Sequence, residues 1–162
     1  MSNYHIDGVS GSGKTTVAVE LQKRGYYSVD ADEDFGYFAD LKTGEPSEKI
    51  GAGDNWIWKK KEVIKILESE SNKPQFLCGG AMNTEEFKPL FRKTFILCIT
   101  DEVLKFRLLT RTNNDYGKHP DELNRQLEWN QKIREDSKNK GYIIIDSSRP
   151  VSEVVDEILS NL

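Results

Sequence analysis

A run of eight residues near the start of the chain has the composition of a phosphate-binding loop. It reads Gly8-Val9-Ser10-Gly11-Ser12-Gly13-Lys14-Thr15, followed by Thr16, and fits the pattern G-x-x-x-x-G-K-[ST] at every fixed position. The glycines let the backbone turn tightly and bring its N–H groups close to anionic oxygens. Lys14 supplies a mobile positive charge for the β- and γ-phosphates, and the Thr15 hydroxyl is a hard oxygen ligand suited to Mg²⁺. The run therefore predicts a site for a nucleoside triphosphate.

The elements on either side of this loop fit the prediction. Residues 4–7 have the pattern of a short strand, and Val17, Ala18 and Leu21 recur at helical spacing. A helix that begins near Gly13 would point the positive end of its dipole at a bound phosphate. The alternative is a glycine-rich turn without a ligand, and the order of strand, loop and helix argues against it.

Two acidic residues, Asp30 and Asp32, follow the second predicted strand at residues 26–30. In open α/β sheets, ligands bind at the carboxyl ends of the strands. Residues two apart can face the same side of a strand end. One carboxylate can then hold Mg²⁺ through water while the other accepts a hydrogen bond from a substrate hydroxyl. The alternative is a solvated turn whose acids cap a following helix.

A pair of glycines ends the third predicted strand, residues 75–78. Gly79 and Gly80 permit a close approach of the backbone to a ligand or to the phosphate-binding loop. Asn83 can donate and accept hydrogen bonds at the same edge of the sheet. A plain strand-ending turn explains the two glycines nearly as well.

The remaining elements predict a parallel sheet that is covered on both faces. Further strands are predicted at residues 94–99 and 142–146, and helices alternate with the five strands. A turn-rich, aromatic segment and a helix predicted from Asn55 suit a substrate-side insertion over residues 35–70. Trp56 and Trp58 in this insertion either line a pocket or pack in the core, and the pattern leaves both open.

A polar loop and a polar helix follow the fourth strand and its helix. Residues 112–120 contain turn residues throughout and predict a mobile loop between two helices. The helix predicted from Asp121 has few apolar positions, which is typical of a helix beside a solvated cleft. Arg125, Lys132 and Arg134 are candidates to face such a cleft, with solvated surface charge as the alternative.

Composition limits the other classes of function. The chain has 162 residues, which is most simply one domain over 1–162, and its net charge of −4 comes from acids and bases mixed along the chain. This argues against general binding to nucleic acid or anionic membranes. With no long apolar stretch and no signal peptide at its start, the protein is expected to be cytoplasmic. Cys78 and Cys98 are expected to be buried, reduced thiols. His5 and His119 show no ligand spacing and receive no role.

With these residues assembled, the chain resembles the small phosphotransferases of the P-loop superfamily. These are the nucleoside-monophosphate kinases and, more closely, the shikimate and gluconate kinase group. The resemblance spans essentially the whole chain and implies a three-layer α/β/α P-loop NTPase fold with a five-stranded parallel sheet and a small lid at 112–120. It also implies ATP and Mg²⁺ as cofactors. In that group an Asp-x-Asp like Asp30-Ala31-Asp32 binds substrate and metal, and a pair like Gly79-Gly80 contacts substrate.

The resemblance extends to the nucleotide side. Arg107-Leu108-Leu109-Thr110-Arg111 is similar to the R-x-x-x-R helix that leads into the lid, which implies that Arg107 stacks on adenine and Arg111 reaches the phosphates. The turn at 146–150, with Arg149 and Pro150, resembles the loop that contacts adenine. The chain also departs from the group. Its third strand lacks the Asp-Gly of nucleoside-monophosphate kinases, its lid lacks the Arg-Pro-Leu run of shikimate kinases, and no arginine follows the Asp-x-Asp at the usual distance to hold a substrate carboxylate.

The sequence therefore predicts transfer of the γ-phosphoryl group of ATP to a hydroxyl or phosphate of a small metabolite. Lys14, Arg111 and Mg²⁺ on Thr15 and Asp30 would neutralise the transferring group, and Asp30 or Asp32 would orient the acceptor or act as base. One alternative is a nucleotide-dependent switch or ATPase that acts through a partner. Its expected strand-terminal Asp and its water-positioning Gln or Glu are not evident. The other alternative, a kinase of nucleic-acid ends, requires a basic groove.

Overall fold

Strands and helices alternate along residues 2–162, which are the residues that the computed structural model describes. The strands are β1 (Asn3–Asp7), β2 (Tyr27–Asp30), β3 (Gly36–Phe38), β4 (Trp56–Trp58), β5 (Gln75–Cys78), β6 (Lys93–Cys98) and β7 (Ile143–Asp146). The α-helices are α1 (Lys14–Lys23), α2 (Ala31–Phe35), α3 (Lys60–Leu67), α4 (Asp101–Thr110), α5 (Pro120–Asn139) and α6 (Val151–Ser160), and a 3₁₀ helix spans Thr84–Leu90.

Five of the strands form one parallel sheet in the order β2-β5-β1-β6-β7. Nearly every residue of β5 and β6 is buried, which is the pattern of strands covered on both faces. Because β1 is the central strand, its carboxyl end lies between those of β5 and β6, with β2 one strand further out. The predicted five-stranded parallel sheet is confirmed, and its order brings the phosphate-binding loop and the acidic turn to one edge.

Helices cover both faces of this sheet, as the three-layer prediction requires. Against one face, α1 and α6 pack apolar residues, and the apolar positions of α6 fall on its buried side. The other face carries two separate apolar clusters. One of them contains Val29, Phe35, Trp58, Val63, Leu77 and Phe87, and the other contains Val9, Ile96, Cys98, Leu104, Leu108 and Ile133. Between the two clusters a crevice opens over the sheet.

The predicted helix from Asn55 is wrong at its start. Residues Trp56–Trp58 form β4, which pairs antiparallel with β3, and α3 begins only at Lys60. The alternation Trp-Ile-Trp suits a strand with one buried face, and Trp58 is fully buried. The Asn83 amide donates to the Trp58 carbonyl at 2.9 Å and accepts from its N–H at 3.0 Å, so it supports β4 as a neighbouring strand would.

The structure also shows the state of the two cysteines and the residues that cap two of the helices. Cys78 and Cys98 are buried free thiols, as predicted. The caps of α4 and α5 are Thr100 and His119, whose side chains accept hydrogen bonds from backbone N–H groups. Within residues 2–162, no helix combines the length and apolar character that a membrane crossing requires.

Candidate active site

The phosphate-binding loop lies between β1 and α1, as its sequence predicts. Gly13 adopts a φ of 107° immediately before α1, a conformation that favours glycine. The Lys14 ammonium folds back over the loop and donates to the carbonyls of Gly8 at 2.7 Å and Val9 at 3.3 Å. The loop, this ammonium and the N-terminus of α1 therefore lie together, which suits a polyphosphate.

Thr15 and Asp30 meet beside the loop. The Thr15 hydroxyl donates to Asp30 Oδ2 at 2.5 Å, while Asp30 Oδ1 accepts the Glu33 N–H and caps α2. Asp30 therefore caps the following helix, as the alternative interpretation predicted, and its side chain also contacts the phosphate-binding loop. A hydroxyl and a carboxylate in contact are hard oxygen donors of the kind that Mg²⁺ prefers. These two residues fit a magnesium ion.

Asp32 lies in α2 and receives an unusual set of donors. Its Oδ1 atom accepts from the indole N–H of Trp58 at 3.0 Å, from that of Trp56 at 3.4 Å and from the Gly80 N–H at 3.1 Å. Burial raises the pKa of the Asp32 carboxyl, although the positive charge of Lys14 and the hydrogen bond from Trp58 act in the opposite direction. The structure thus holds a carboxylate of raised basicity at the edge of the crevice.

The two tryptophans differ in position. Trp58 belongs to the core, whereas Trp56 is partly exposed and lines the crevice, with its ring edge-on to Phe38 at a centroid distance of 4.9 Å. The sequence predicts that Trp56 and Trp58 either line a pocket or pack in the core. In the structure Trp56 lines the crevice and Trp58 packs in the core. The sequence does not predict their shared contact with Asp32, because the two tryptophans follow Asp32 by 24 and 26 residues.

Gly79 and Gly80 lie where the sequence predicts and are tightly enclosed. A Cβ at Gly79 would lie 2.8 Å from the Trp58 ring, and one at Gly80 would lie 2.4 Å from Asp7 Oδ1. The pair therefore lets the end of β5 approach both Asp7 and Asp32. Of the predicted substrate contacts, Gly80 and Asp32 line the crevice. The Asn83 side-chain amide is instead hydrogen-bonded to the backbone of Trp58.

Two residues of β1 near this edge were missed or received no role. Asp7 ends the central strand, and its Oδ1 atom accepts the Gly8 N–H at 2.7 Å. His5 is buried, stacks on Phe91 at 4.9 Å and donates from Nε2 to the Gly79 carbonyl at 3.0 Å. Burial lowers the pKa of His5, so its imidazole is neutral at pH 7 and supports the end of β5. The feature of the sequence that could have identified Asp7 is its position directly before the phosphate-binding loop.

Arg107 and Arg111 both reach this loop from α4 and its end. Arg107 donates to the carbonyls of Gly11 and Ser12 at 3.4 Å, and to that of Ser147 at 3.0 Å. Arg111 donates to Ser10 Oγ at 3.1 Å and to the Tyr116 carbonyl.

The Arg111 guanidinium has spare capacity for an anion. Its Nε atom is buried without a hydrogen-bond partner, and in the described part of the chain no carboxylate forms an ion pair with it. Burial lowers its pKa, as expected for a charge taken out of water. A guanidinium held beside the loop in this way suits a phosphate.

The predicted lid is tied to the loop and to the insertion by a hydrogen-bonded network. The Tyr116 hydroxyl donates to the Ala52 carbonyl at 2.7 Å and accepts from Gln126 Nε2 at 3.1 Å. Gln126 Oε1 in turn accepts the Ser10 N–H at 2.7 Å. Glu122 accepts the Gly117 N–H at 2.8 Å and pairs with Lys49. No local sequence pattern indicates this network, whose members lie up to 116 residues apart.

The remaining predicted residues are spread around the crevice. Arg149 lines it and pairs with Glu157, and Pro150 is the residue that precedes α6. Arg125 and Lys132 line the crevice as proposed, whereas Arg134 is not part of its wall. The crevice encloses about 1930 Å³, which is roomier than the ~300–1,000 Å³ of a usual ligand pocket. A nucleotide and a second small molecule fit together in such a space.

Fold and loop geometry together define a P-loop nucleotide-binding protein. Residues 5–130 match the model of a family described as an AAA domain, and the chain belongs to that family. No curated protein matches the sequence significantly.

Solved structures of similar fold include several kinases. A shikimate kinase from Bacteroides thetaiotaomicron has a TM-score of 0.65 and 19% identity, over 99% of each chain. A gluconokinase from Sinorhizobium meliloti 1021 has a TM-score of 0.61 and 20% identity, over 98% of this chain and 90% of that one. A deoxyadenosine kinase from M. mycoides, with bound dATP, has a TM-score of 0.61 and 14% identity, over 99% of this chain and 98% of that one. These likenesses confirm the P-loop kinase fold that the sequence predicts.

Proposed function

We propose that this protein is an ATP-dependent phosphotransferase that moves the γ-phosphoryl group to a hydroxyl of a small molecule. The observation that carries the proposal is Asp32, a partly buried carboxylate of raised basicity in the same crevice as the phosphate-binding loop. A protein that only binds nucleotide has no use for such a group. The similarity of fold to three small-molecule kinases supports the same class of reaction.

On the nucleotide side, the chain offers donors for every phosphate. The loop N–H groups and the N-terminus of α1 hold the α- and β-phosphates, and Lys14 spans the β- and γ-phosphates. Arg111 neutralises charge on the transferring group from the lid side. Thr15 and Asp30 would hold Mg²⁺, which supplies charge neutralisation and fixes the orientation of the phosphates when bound.

On the acceptor side, Asp32 orients the hydroxyl and takes its proton. Three N–H donors occupy Oδ1, while Oδ2 receives only the longer contact from the Gly80 N–H at 3.3 Å and keeps lone pairs for the hydroxyl. The acceptor oxygen forms a bond to the γ-phosphorus, the bond from that phosphorus to the β–γ bridging oxygen breaks, and ADP leaves. The hydroxyl proton ends on Asp32, whose raised pKa makes it a better base than an ordinary carboxylate.

The lid network serves the same reaction by excluding water. Tyr116 joins the lid to the insertion through Ala52, and Gln126 joins both to the loop at Ser10. With these contacts formed, the γ-phosphate is enclosed between the lid and the loop, which limits hydrolysis.

The proposal is tested by ADP release from Mg-ATP with and without pooled hydroxyl compounds. Acceptor-dependent release is expected in the wild-type protein and is expected to be lost in Lys14→Ala. Lys23→Ala, an exposed position on the same helix, is the matched control and is expected to behave as wild type. Tight binding of nucleotide without stimulation by any pool would overturn the proposal and favour a nucleotide-dependent switch.

A further inference from the structure

Resting on the proposed function, we propose that the acceptor is an uncharged polyhydroxy compound and that carboxylated or phosphorylated analogues are rejected. The acceptor side of the crevice combines carboxylates with aromatic rings, and Arg125, which lines the crevice, already forms an ion pair with Asp54. The fold alone does not determine which charge the acceptor carries, because that depends on the side chains that line the crevice in this chain.

The acceptor side is the part of the crevice around Asp32. The carboxyl ends of β1 and β2 contribute Asp7 and Asp30, and Gly80 follows β5. The insertion contributes an apolar wall on the same side. That wall contains Phe38 and Trp56, and Met82, which follows β5, also lines the crevice.

The carboxylates here have no cationic side chain as a partner in the part of the chain that the structure describes. Among the described residues, no lysine or arginine forms an ion pair with Asp7, Asp30 or Asp32. Lys14 is the cation that acts most strongly on Asp32, but its ammonium lies on the loop carbonyls, where the phosphates of ATP would bind. An anionic acceptor would therefore add like charge to this side of the crevice without gaining a partner.

Besides Lys14 and the arginines on the nucleotide side, four cations line the crevice. Lys88 and Lys140 lie over the Tyr142 ring and pair with Glu85. The other two belong to α5. Arg125 Nη2 forms an ion pair with Asp54 Oδ1, and Asp54 lies two residues before Trp56 in the insertion. This pair leaves the guanidinium locally neutralised. Lys132 lies seven residues after Arg125 in α5. This separation is two helical turns, or about 10 Å along the helix axis.

The same walls suit an uncharged polyol. The partly exposed Trp56 ring offers a flat apolar surface for the C–H face of a carbon skeleton, while carboxylate oxygens accept hydrogen bonds from hydroxyls. A carboxylate or phosphate on the acceptor brings no donor for Asp7 or Asp32 at neutral pH. A site whose carboxylates lie next to the acceptor therefore discriminates against an acceptor that carries a like charge.

The test measures kcat/KM for matched acceptor pairs that differ in one anionic group. Suitable pairs are D-glucitol with D-gluconate, methyl shikimate with shikimate, and adenosine with adenosine 5′-monophosphate. For each pair in which transfer occurs, the uncharged member is expected to be used about 10²-fold better or more.

A charge variant tests the role of the ion pair. Asp54→Asn frees Arg125, and it is expected to shift the ratio within each pair about tenfold toward the anionic member. Asp34→Asn removes the same charge from an exposed position of α2 that has no ion-pair partner, and it is expected to leave the ratio unchanged.

The outcomes separate this inference from the proposed function. Equal use of both members, or preference for the anionic member, would overturn the inference and leave the phosphotransferase function intact. If the ratio of kcat/KM within each pair is the same in Asp54→Asn as in the wild type, the ion pair between Arg125 and Asp54 does not affect the preference. That part of the inference would then be overturned. No transfer to any acceptor by protein that binds Mg-ATP would overturn the proposed function, and the inference with it.

Discussion

Replacing Asp32 by Asn removes the charge that the proposed reaction needs while keeping the shape of the side chain. The amide oxygen can still accept hydrogen bonds from Trp56, Trp58 and the Gly80 N–H, so the crevice is expected to keep its form. The variant cannot take the acceptor proton. Loss of a positioned general base costs about 10²–10⁴-fold in rate, and this is the expected fall in kcat for phosphoryl transfer.

The effect of the same variant on stability has the opposite sign. Burial raises the pKa of Asp32 above its value in the unfolded chain. A raised pKa means that the protonated group favours the fold, a contribution that is present at low pH and is lost as the pH rises through the folded-state pKa. In its ionised form the wild-type carboxylate therefore lowers the free energy of unfolding relative to the protonated form. Asp32→Asn is expected to unfold at an equal or higher temperature, by roughly 2–4 °C for each kcal/mol relieved.

The assay combines steady-state kinetics with calorimetry at pH 7. Asp34→Asn is the matched control for the loss of one charge from α2 and is expected to keep wild-type kcat and melting temperature within error. In the wild type, kcat/KM is expected to fall on the acid side with a midpoint above the ~3.9 of an ordinary Asp carboxyl. The reasoning would be refuted by an Asp32→Asn variant with kcat within tenfold of wild type, or by a variant that melts several degrees lower.

Three further substitutions test other contacts of the site. Trp58→Phe removes an indole N–H from Asp32, and the acid limb of the kcat/KM profile is expected to move to higher pH; an unmoved limb would exclude this hydrogen bond as a control on basicity. Gln126→Ala breaks the link between lid and loop, and ATP hydrolysis without acceptor is expected to rise several-fold relative to transfer. Gly80→Ala places a Cβ 2.4 Å from Asp7 Oδ1, and kcat/KM for the acceptor is expected to fall more than tenfold. Because Asp7 also accepts the Gly8 N–H, the Kd for Mg-ATP, measured by calorimetry, is expected to rise by a smaller factor.

The parts of the fold that the sequence predicted well are those set by local patterns. The phosphate-binding loop requires glycines and a lysine at fixed spacing, and the strand and helix beside it follow from neighbouring residues. The buried strands β5 and β6 are nearly continuous apolar runs, and α6 has its apolar residues on one face. Because parallel strands place their carboxyl ends at one edge, Asp30 and Gly80 could be assigned to the same crevice.

The parts that the sequence could not predict depend on long-range contacts. Residues 55–67 carry an apolar stripe at helical spacing, but Trp56–Trp58 form a strand because Asn83 and β3 supply its hydrogen bonds. The two indole N–H groups on Asp32 join the insertion to α2, and no local pattern indicates that contact. The bond from Ser10 to Gln126 likewise exists only because α5 packs over the loop.

The most direct test of the account is to identify the phosphorylated product. Mg-ATP is incubated with pools of uncharged hydroxyl compounds, and ³¹P NMR follows the phosphorus that leaves ATP in the wild type, Lys14→Ala and Asp32→Asn. The account predicts a new phosphomonoester resonance that matches the ADP formed in the wild type and is lost or strongly reduced in both variants. Formation of ADP with inorganic phosphate alone, whatever the pool, would contradict it and identify the protein as a nucleotide hydrolase.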